Sequence, residues 1–441
     1  MPKVLSVKER LLQRIADRSA QVCVLGLGYA GLPLATEFAG VGFRVTGIDL
    51  NAEKCAAIND GRSYIGDISS ESVAELVESG HLRATDDYAA VEHADAVFIC
   101  VPTPLGKAKD PDISYIVAAA DDLAQHTHPG MLVVLESTTY PGTTEEILLP
   151  RIVGGRYQVG HDLFVAFSPE RVDPGNRRFN VRNTPKVVGG VTEACLEVAA
   201  ALYETALDTV VTVSSPAVAE LTKILENTFR AVNIGLVNEL AMICRRLGID
   251  VWEVIEAAST KPFGFMPFYP GPGLGGHCVP VDPLYLTWKM RSLGSRTRFI
   301  ELADTVNSGM PEYVVGRIAD ALNDEGKPTK NARILVLGVT YKKDVEDLRE
   351  SPALTIIDEL RKRGAQVAYN DPHAPILRLR SGYTLRSASL TQEMLEWTDL
   401  VLVHTAHTGY DWGWVGAHAR LVFDARNAMS GVESSCRVVR L

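Results

Sequence analysis

The chain has 441 residues, which is long enough for roughly two to four domains of about 150 residues each. Hydrophobic residues make up 46% of it and charged residues 22%, as in an ordinary globular protein, and the net charge of −10 argues against a nucleic-acid partner. No apolar run approaches the roughly 18 residues of a membrane span, and the N-terminal segment lacks the apolar stretch of a signal peptide. The seven cysteines are widely spaced without a CxxC pair, so we expect reduced thiols, a cytoplasmic location and no structural zinc site.

The first recognisable unit has a β-α-β pattern. An apolar, β-branched strand at residues 21–25 runs into the loop GLGYAG at residues 26–31, and an apolar helical stretch follows at 32–40. A second strand at 44–48 ends at Asp49. The order of strand, glycine loop, helix and strand is typical of a nucleotide-binding α/β domain.

The rest of the N-terminal half continues this alternation. Before the unit we predict an extra amphipathic helix at residues 7–17. After it, short apolar runs predict buried strands between helical segments, at residues 96–101, 131–135 and 163–167. The pattern up to about residue 213 predicts a doubly wound parallel sheet.

The second half begins with a long helix at residues 215–247, followed by a loop rich in glycine, proline and aromatic residues at 261–280. A polar linker at 324–331 leads to a second β-α-β start at 333–370, which lacks the glycine triplet. We therefore predict an α/β protein in which two doubly wound domains flank a central helical domain with a long helix. The predicted domains are an N-terminal dinucleotide-binding domain at residues 1–213, a central helical domain at 214–323 and a C-terminal nucleotide-binding domain at 324–441.

The glycine loop and the acid after it predict the cofactor. Gly26 suits the tight turn, Gly28 lets a pyrophosphate approach the backbone, and Gly31 allows close packing of helix and strand. Asp49, 18 residues past Gly31, is placed to accept hydrogen bonds from both ribose hydroxyls and to repel a 2′-phosphate, which favours NAD over NADP. The alternative, a βα turn that merely tolerates glycine, does not explain the acid.

The loop at residues 271–282 contains Cys278 and Asp282 after a run of glycines that expose backbone to a ligand. A cysteine becomes a nucleophile when a nearby donor or cation stabilises its thiolate. The alternative is that Cys278 is a small buried hydrophobic residue. His277 beside it lacks the spacing of a zinc ligand, so we expect no metal.

Lys223 and Asn227 lie four residues apart on the long helix, and so share one face. This face is roughly opposite an apolar stripe that includes Leu221, Leu225 and Leu236. The residue pattern alone leaves a solvated face open as the alternative. Three further polar segments follow predicted strands, where open sheets bind ligands, at residues 101–104, 137–143 and 168–173.

These motifs together closely resemble the nucleotide-sugar 6-dehydrogenase family, which includes the UDP-glucose and UDP-N-acetylhexosamine 6-dehydrogenases. The resemblance covers about residues 21–426, in the family's order. It rests on GLGYAG, VPTP, ESTTYPGT, SPERVDPG, AELTKILENTFRAVNI, GPGLGGHCVPVDP, YKKDVEDLRES and FDAR. It implies Rossmann-like domains at both ends and a four-electron oxidation of a sugar C6 alcohol to the carboxylate, with two hydrides transferred to NAD.

The resemblance also implies roles for individual residues. Cys278 resembles the nucleophile that forms a thiohemiacetal and then a thioester. Lys223 and Asn227 resemble the groups that stabilise the oxyanion or transfer a proton, and Asp282 resembles the acid beside the nucleophile. The residues implied in water activation and hydrolysis are Glu170 and Thr138.

Binding residues are implied in the same way. The cofactor-binding set is Gly26, Gly28, Tyr29, Ala30, Gly31, Asp49, Pro102, Thr103, Thr138, Asp173 and Arg349. The substrate-binding set is Glu170, Arg171, Lys223, Asn227, Gly275, Lys342 and Arg426, of which the last two resemble contacts from the C-terminal domain to the UDP-sugar.

Two departures bear on the substrate. Val281 stands where many UDP-glucose enzymes have lysine, and Arg171 where many have phenylalanine. The motifs around these residues are therefore more similar to those of enzymes acting on UDP-N-acetylglucosamine. UDP-glucose and UDP-N-acetylmannosamine remain the alternatives. Outside this class stand a two-electron β-hydroxyacid dehydrogenase and a silent NAD-binding module, which need neither the Cys278 loop nor its partners. The resemblance also implies a homodimer or a higher homo-oligomer.

Overall fold

The computed structural model describes residues 5–106, 110–173, 175–176, 178–276 and 278–441. These residues divide into two compact units. The first holds the described residues of Met1–Glu226 and Trp288–Ser295, and the second holds those of Asn227–Thr287 and Arg296–Leu441. The three-domain division stays a prediction, since compactness alone separates two units.

The first unit is built around one large sheet. Its elements in chain order are α1 (Val7–Ala16), β1 (Gln21–Leu25), α2 (Gly31–Gly40), β2 (Arg44–Ile48), α3 (Ala52–Asn59), α4 (Ser70–Glu78), β3 (Leu82–Thr85), β4 (Ala96–Ile99), α5 (Ser114–His126), β5 (Leu132–Leu135), α6 (Leu149–Val153), β6 (Phe164–Phe167), β7 (Lys186–Gly190), α7 (Glu193–Tyr203), β8 (Val210–Val213) and the start of α8 (Pro216–Leu247). A 3₁₀ segment at Tyr88–His93 and a π-helical segment at Thr144–Leu148 connect some of them.

The strand order of this sheet is β3-β2-β1-β4-β5-β6-β7-β8. The first six strands are parallel, which confirms the predicted doubly wound sheet. One feature was not predicted: β7 pairs antiparallel with β6, and β8 then runs parallel to β7. No helix or strand is assigned to the described residues between β6 and β7, so the chain returns without the crossover helix that a parallel neighbour usually requires.

Both faces of the sheet are covered, as its continuous apolar strands predict. On β1, Val22 and Val24 belong to a buried cluster that includes Phe38, while the alternate residues Cys23 and Leu25 belong to a second cluster on the other face. With both faces covered, a ligand has to approach the ends of the strands, and in open α/β sheets it binds at their carboxyl ends. The order reverses between β1 and β4, and such a switch point is where α/β sheets bind ligands.

The second unit combines a helical part with a smaller sheet. Helices α8 and α10 contribute residues to both units, and the elements after α8 are α9 (Val251–Ser259), α10 (Asp282–Ser292), α11 (Arg298–Asp324), β9 (Arg333–Leu337), α12 (Pro352–Lys362), β10 (Gln366–Asn370), β11 (Ile376–Arg378), β12 (Thr384–Arg386), α13 (Gln392–Trp397), β13 (Leu400–Val403), α14 (Trp412–His418), β14 (Leu421–Asp424) and β15 (Arg437–Arg440).

Strands of the second sheet lie in the order β10-β9-β13-β14-β15 and are all parallel. Helix α12 follows β9, and it begins where Ser351 caps the backbone N–H of Ala353 and Pro352 occupies the first turn. The second β-α-β start and the long helix are thus confirmed, and with them the predicted fold class.

Candidate active site

The glycine loop after β1 contains three different backbone environments. Gly26 has a φ of 91°, and a Cβ there would lie 2.6 Å from the carbonyl oxygen of Cys100. A Cβ on Gly31 would lie 1.9 Å from the carbonyl oxygen of Gly26, so the third glycine lets α2 pack on the turn. A Cβ on Gly28 would meet nothing within 4 Å. The loop therefore leaves room at its middle glycine for a pyrophosphate to approach the backbone and the N-terminus of α2.

Asp49 lies at the end of β2, next to this loop. One carboxylate oxygen accepts the backbone N–H of Leu27 at 2.9 Å, and the other accepts that of Asn51 at 2.9 Å. Lys54 donates to the same carboxylate at 3.1 Å. These donors fix the carboxylate at the β1–β2 edge, and its contact with a ribose stays a prediction. Of the other predicted loop residues, Tyr29 is exposed and Ala30 is exposed only in part.

The segments after β4 and β5 are joined by a side chain between them. Ser137 donates from Oγ to the carbonyl oxygen of Val101 at 2.8 Å. Around this bond lie the predicted cofactor residues, of which Thr103 is buried, Thr138 is half-buried and Pro102 is exposed. Neighbouring strand ends thus bring these residues to the same edge of the sheet.

Glu170, after β6, and Lys223, on α8, are in direct contact. The Lys223 Nζ donates to the carbonyl oxygen of Glu170 at 2.5 Å. The carboxylate of Glu170 accepts the backbone N–H groups of Arg171 and Val172 at 2.6 Å each. Lys223 is buried, and so is Asn227 one turn further along the helix. The alternative of a solvated face at these two positions is therefore wrong.

The side chain of Arg171 is bound by other protein groups. Its guanidinium forms a two-pronged ion pair with Glu226, at 2.6 and 3.3 Å, and donates to the carbonyl oxygen of Pro185 at 2.5 Å. Asp173, two residues further on, accepts from the side-chain amide of Asn176 at 3.4 Å. Contact of Arg171 with the substrate and of Asp173 with the cofactor stay predictions.

A buried charged network behind Glu170 was not predicted. Lys186, the first residue of β7, lies 2.7 Å from the carboxylate of Glu136, and Tyr203 donates to the other oxygen of that carboxylate. Lys186 also lies 3.8 Å from Glu170. Glu136 belongs to the ESTTYPGT motif, but the motif does not indicate its partner. Lys186 lies 50 residues further along the chain, and the order of the strands in the sheet brings the two together.

In the second unit, the cysteine loop ends in a turn that begins α10. The backbone N–H of Asp282 donates to the carbonyl oxygen of Cys278 at 2.8 Å, and the side-chain amide of Asn227 donates to the Asp282 carboxylate at 2.6 Å. Cys278 is half-buried, whereas five of the seven cysteines are buried. The interpretation of Cys278 as a buried hydrophobic residue is therefore wrong. His277 lies outside the described residues.

The glycines before Cys278 allow close packing inside the second unit. A Cβ on Gly275 would lie 2.5 Å from the Cβ of Tyr341, and one on Gly271 would lie 2.5 Å from a guanidinium nitrogen of Arg426. Gly276 has a φ of 84° and donates its backbone N–H to the carbonyl oxygen of Arg349 at 2.9 Å. The loop thus contacts the segments that contain the predicted residues of the C-terminal region.

Two buried asparagines that were not predicted also hold this loop. The side-chain oxygen of Asn238, on α8, accepts the backbone N–H of Gly271 at 2.9 Å. Its amide donates at 2.9 Å to Asn307 on α11, which in turn donates to the carbonyl oxygen of Ala231. No motif indicated these residues, because polar residues inside long helices usually face solvent.

Three predicted residues of the C-terminal region follow β9 and β14. Arg426 is half-buried and donates from Nε to the carbonyl oxygen of His404 at 2.9 Å; burial lowers the pKa of its guanidinium to about 10. Arg349 forms an ion pair with Asp347 at 2.7 Å. The carbonyl oxygen of Lys342 accepts the hydroxyl of Thr340 at 2.9 Å.

Asp371 ends β10 as Asp49 ends β2, but its carboxylate is fully buried. One oxygen accepts the backbone N–H groups of Val339 and Thr340, at 2.6 and 3.2 Å, and lies 3.0 Å from Nε2 of His407. The Nδ1 of His407 accepts the backbone N–H of Asp344 at 2.9 Å, so Nε2 carries the proton. Asp371 is thus saturated by protein donors, which explains why the second sheet lacks the ribose acceptor of a dinucleotide site.

Two sites thus form, one in each unit. The first is a strand-edge site for a dinucleotide, with Glu170 and Lys223 next to each other. The second combines Cys278, Asp282 and Asn227 with a nucleotide-sized sheet. A dinucleotide loop together with a cysteine loop defines a class, the nucleotide-dependent dehydrogenases.

Comparison with known proteins gives the family. The chain matches the models of the UDP-glucose/GDP-mannose dehydrogenase family over its NAD binding domain (residues 20–207), central domain (217–309) and UDP binding domain (335–431). It is similar to the UDP-N-acetyl-D-glucosamine 6-dehydrogenase of Pseudomonas aeruginosa, with 38% identity over 359 residues that cover 80% of this chain and 83% of that protein.

It is also similar to the UDP-N-acetyl-D-mannosamine dehydrogenase of Pyrococcus horikoshii, at 34% identity over 92% of this chain and 95% of that one. A solved structure of the UDP-D-ManNAc dehydrogenase from Pyrococcus horikoshii superimposes with a TM-score of 0.86 at 32% identity, covering 95% of this chain and 98% of that one. The chain therefore belongs to the UDP-glucose/GDP-mannose dehydrogenase family and is an NAD-dependent UDP-sugar dehydrogenase. Within the part of the chain that the structure describes, no helix combines the length and apolarity needed to cross a membrane.

Proposed function

We propose that the chain oxidises the C6 alcohol of a UDP-N-acetylhexosamine to the carboxylate through a covalent intermediate on Cys278. The observation that carries the proposal is the arrangement at the start of α10. There the half-buried Cys278 shares a turn with Asp282, whose carboxylate is held at 2.6 Å by Asn227. An aldehyde needs an attached nucleophile before it can release a second hydride, and a thiol near fixed polar groups suits that task.

Two NAD molecules, bound one after the other at the glycine loop, would each accept one of the two hydrides. In the proposed series of steps, Lys223 takes part in transfer of the alcohol proton or stabilises the negative charge that develops on the oxygen. The Cys278 thiolate adds to the aldehyde carbon, and Asn227 stabilises the resulting oxyanion. After the second hydride has left, the intermediate is a thioester. Glu170 activates a water molecule, and Thr138 assists in this hydrolysis. The water adds to the thioester carbon, and the C–S bond breaks to release the carboxylate and the thiolate.

The remaining predicted residues receive binding roles in this proposal. Lys342, Arg426 and Gly275 serve the UDP-sugar, and Arg349 and Asp173 serve the cofactor. The roles of Lys342 and Gly275 are supported by their closeness within the second unit, because the loop containing Gly275 packs on Tyr341, the residue before Lys342. The family's UDP binding domain covers Lys342 and Arg426.

Among the sugars we place UDP-N-acetylglucosamine first, ahead of UDP-N-acetylmannosamine and UDP-glucose. Val281 supports this order, because an apolar, buried residue stands next to Asp282 where many UDP-glucose enzymes carry lysine. The relatives' names include both N-acetylhexosamines, which supports the class of substrate.

The test is a substrate panel with the purified protein. With UDP-N-acetylglucosamine we expect two NADH per sugar and a higher kcat/KM than with UDP-glucose. Cys278→Ala should form no uronate while it still binds NAD, and Cys436→Ala, which changes the other half-buried cysteine, should behave as the native protein. Lys223→Ala should slow turnover by about 10²–10³, the usual effect of losing an oxyanion donor.

The contrary outcomes separate the parts of the proposal. One NADH per substrate would indicate the two-electron alternative. Near-native uronate formation by the Cys278→Ala protein would overturn the covalent route. A preference for UDP-glucose would overturn only the choice of sugar.

We also propose that the protein works as a homodimer in the cytoplasm. Apolar side chains on α8 that the single chain leaves exposed support the dimer, among them Phe229, Leu236 and Ile243 at intervals of seven residues. The seven cysteines, which all lie within the described residues, form no disulfide with one another, and this supports a reducing compartment.

A further inference from the structure

Beside the buried Asp371–His407 pair of the second unit, three side chains that could bind a metal ion lie close together. They are Asp344 in the loop after β9, His373 after β10 and His407 after β13, and one ligand atom of each lies within 4.8 Å of the other two. Strands β10, β9 and β13 are parallel neighbours in the second sheet. The loops that follow their carboxyl ends therefore meet at one edge of that sheet.

The distances between the three ligand atoms are close to those around one small cation. Oδ1 of Asp344 lies 3.6 Å from Nδ1 of His407 and 4.0 Å from Nε2 of His373. Ligand atoms bonded to a tetrahedral zinc ion at about 2.0–2.2 Å are roughly 3.3–3.6 Å apart, so side-chain movements of about 1 Å suffice to bring all three into bonding distance. The largest movement falls to His373, whose side chain is 34% exposed.

His407 has the tautomer and the orientation of a metal ligand. Its Nε2 donates to the buried carboxylate of Asp371 at 3.0 Å, which leaves the lone pair on Nδ1, the nitrogen nearer to Asp344. A carboxylate that accepts the other ring N–H is the usual arrangement behind a metal-bound histidine. The Nδ1 lone pair accepts the backbone N–H of Asp344 at 2.9 Å, and a metal ion has to replace that hydrogen bond. Because Asp344 is exposed, its N–H can then bind water.

The other two ligands are also held by neighbouring groups. Thr408 donates its backbone N–H to Oδ1 of Asp344 at 2.9 Å and its hydroxyl to the second oxygen. These hydrogen bonds lower the pKa of the Asp344 carboxyl, and each carboxylate oxygen keeps a second lone pair for a cation. The backbone N–H of His373 donates to Asp371 at 2.8 Å. The same buried carboxylate thus fixes the segment of His373 and the ring of His407.

We propose that Asp344, His373 and His407 form a binding site for one divalent transition-metal ion, of which Zn²⁺ fits best. Two imidazoles and one carboxylate select zinc-like ions, whereas magnesium and calcium prefer sites made of oxygen atoms alone. Three protein ligands leave the fourth position of a tetrahedral ion to water or an anion. The bound ion links the loops after β9, β10 and β13 and so stabilises the second unit.

The sequence pointed away from a metal because its expectation rested on the cysteine spacing and on His277. The ligands proposed here come from three separate loops, and the order of the strands brings these loops together. The site takes no part in the proposed oxidation at Cys278, so each of the two proposals can fail without the other.

The first test is zinc binding to the purified protein. The protein is stripped with EDTA, and Zn²⁺ is then titrated into it in a calorimeter. A variant with both Cys278→Ala and Cys436→Ala is titrated in parallel, because these two cysteines are the ones that are not buried and thiols also bind zinc. We expect one Zn²⁺ per chain at the proposed site, with the same affinity in the native protein and in the cysteine variant.

Substitution of the ligands tests where the ion binds. His373→Ala and Asp344→Asn each remove one ligand and should weaken zinc binding by about 10-fold or more. His161→Ala is the matched control, because His161 is an exposed histidine beside Asp162 in the first unit and should leave the affinity unchanged. Zinc should also raise the urea midpoint of the native protein, since a ligand that binds only the folded state stabilises it, and it should not do so in His373→Ala.

A crystal soaked in zinc chloride locates the ion directly, and its anomalous signal should lie among Asp344, His373 and His407. An ion found only elsewhere, native affinity in His373→Ala, or no zinc binding at micromolar concentration overturns the site. Mg²⁺ bound as tightly as Zn²⁺ overturns the choice of a transition metal. If Asp344→Asn fails to fold, the comparison of His373→Ala with His161→Ala still decides the question.

Discussion

At the scale of single residues, the two acids that end the second strand of each sheet show how surroundings decide chemistry. Asp49 accepts two backbone N–H groups and pairs with Lys54, all at the edge where the glycine loop opens. Asp371 occupies the matching place, but its carboxylate is fully buried and accepts hydrogen bonds from four donors, including His407. The same residue type is therefore an internal brace in the second sheet, whereas at the edge of the first sheet we predict that it binds the ribose of NAD.

The place of Asp49 leads to a prediction about cofactor choice. A carboxylate binds ribose hydroxyls and repels a 2′-phosphate, so the native protein should strongly prefer NAD to NADP. Asp49→Asn should lower kcat/KM for NAD by about 10- to 100-fold, which corresponds to the loss of charge-assisted hydrogen bonds. The same substitution should reduce the ratio of kcat/KM for NAD to kcat/KM for NADP. The repulsive carboxylate is gone, and Lys54, which has lost its ion-pair partner, can attract the 2′-phosphate.

The measurement is kcat/KM with each cofactor at saturating UDP-sugar. Asp60→Asn is the matched control, since Asp60 forms only a surface ion pair with Arg62 and should leave both values unchanged. Equal rates of the native protein with NAD and NADP would contradict the assignment of Asp49.

At the scale of elements, helix α8 has an unusual distribution of residues. Its apolar stripe includes Leu221, Leu225 and Leu236, which are exposed, while Lys223 and Asn227 are buried. In a helix of a monomeric globular protein the reverse is normal. The helix therefore buries polar side chains that we predict to belong to the site, and it leaves apolar side chains exposed in the single chain.

Asn238 lies on the buried side of the same helix and carries a prediction about stability. Asn238→Ala would leave the backbone N–H of Gly271 and the side-chain oxygen of Asn307 without partners in a buried place. Each such loss costs about 1–3 kcal/mol, so the two together should lower the free energy of unfolding of the second unit by roughly 2–6 kcal/mol. The KM for the UDP-sugar should rise as well, because the loop before Cys278 loses an anchor.

Urea unfolding of the two proteins checks this. Asn233→Ala, five residues away on α8, is the control: the Asn233 amide donates to the carbonyl oxygen of Phe229 near the surface, so its loss should cost at most about 0.5 kcal/mol. Equal effects of the two substitutions would show that the Asn238 contacts do not hold the loop.

At the scale of the whole molecule, the sequence predicted those features that depend on local order. The strand before Gly26, the helix after it and the acid at Asp49 are close in sequence, so their arrangement followed from spacing alone. The Lys186–Glu136 pair and the Asn238–Asn307 pair join residues 50 and 69 positions apart. Their partners are set by the order of strands and helices, which no short motif contains.

The antiparallel turn from β6 to β7 was missed for a related reason. Strand β6 is a continuous apolar run, and β7 has two valines between Lys186 and a pair of glycines; neither pattern reveals strand direction. The exposure of the α8 stripe was likewise not predictable, because periodicity identifies an apolar face without telling whether the same chain or another covers it.

The exposed stripe leads to the last prediction, that two copies of the chain associate through α8. Leu236 is 61% exposed and lies midway between Phe229 and Ile243, seven residues from each, so the three share one face of the helix. A contiguous apolar face of this kind is rare on a monomer, so we expect a second copy to cover it with the same residues in a two-fold arrangement. We expect light scattering after size exclusion to give the mass of two or more chains.

Leu236→Glu places a charge in the middle of the stripe and should give the mass of one chain. Leu293→Glu, at a similarly exposed leucine after α10, should not change the native mass. A native protein that stays monomeric at micromolar concentration, or a Leu236→Glu protein that keeps the native mass, would show that α8 is not the interface.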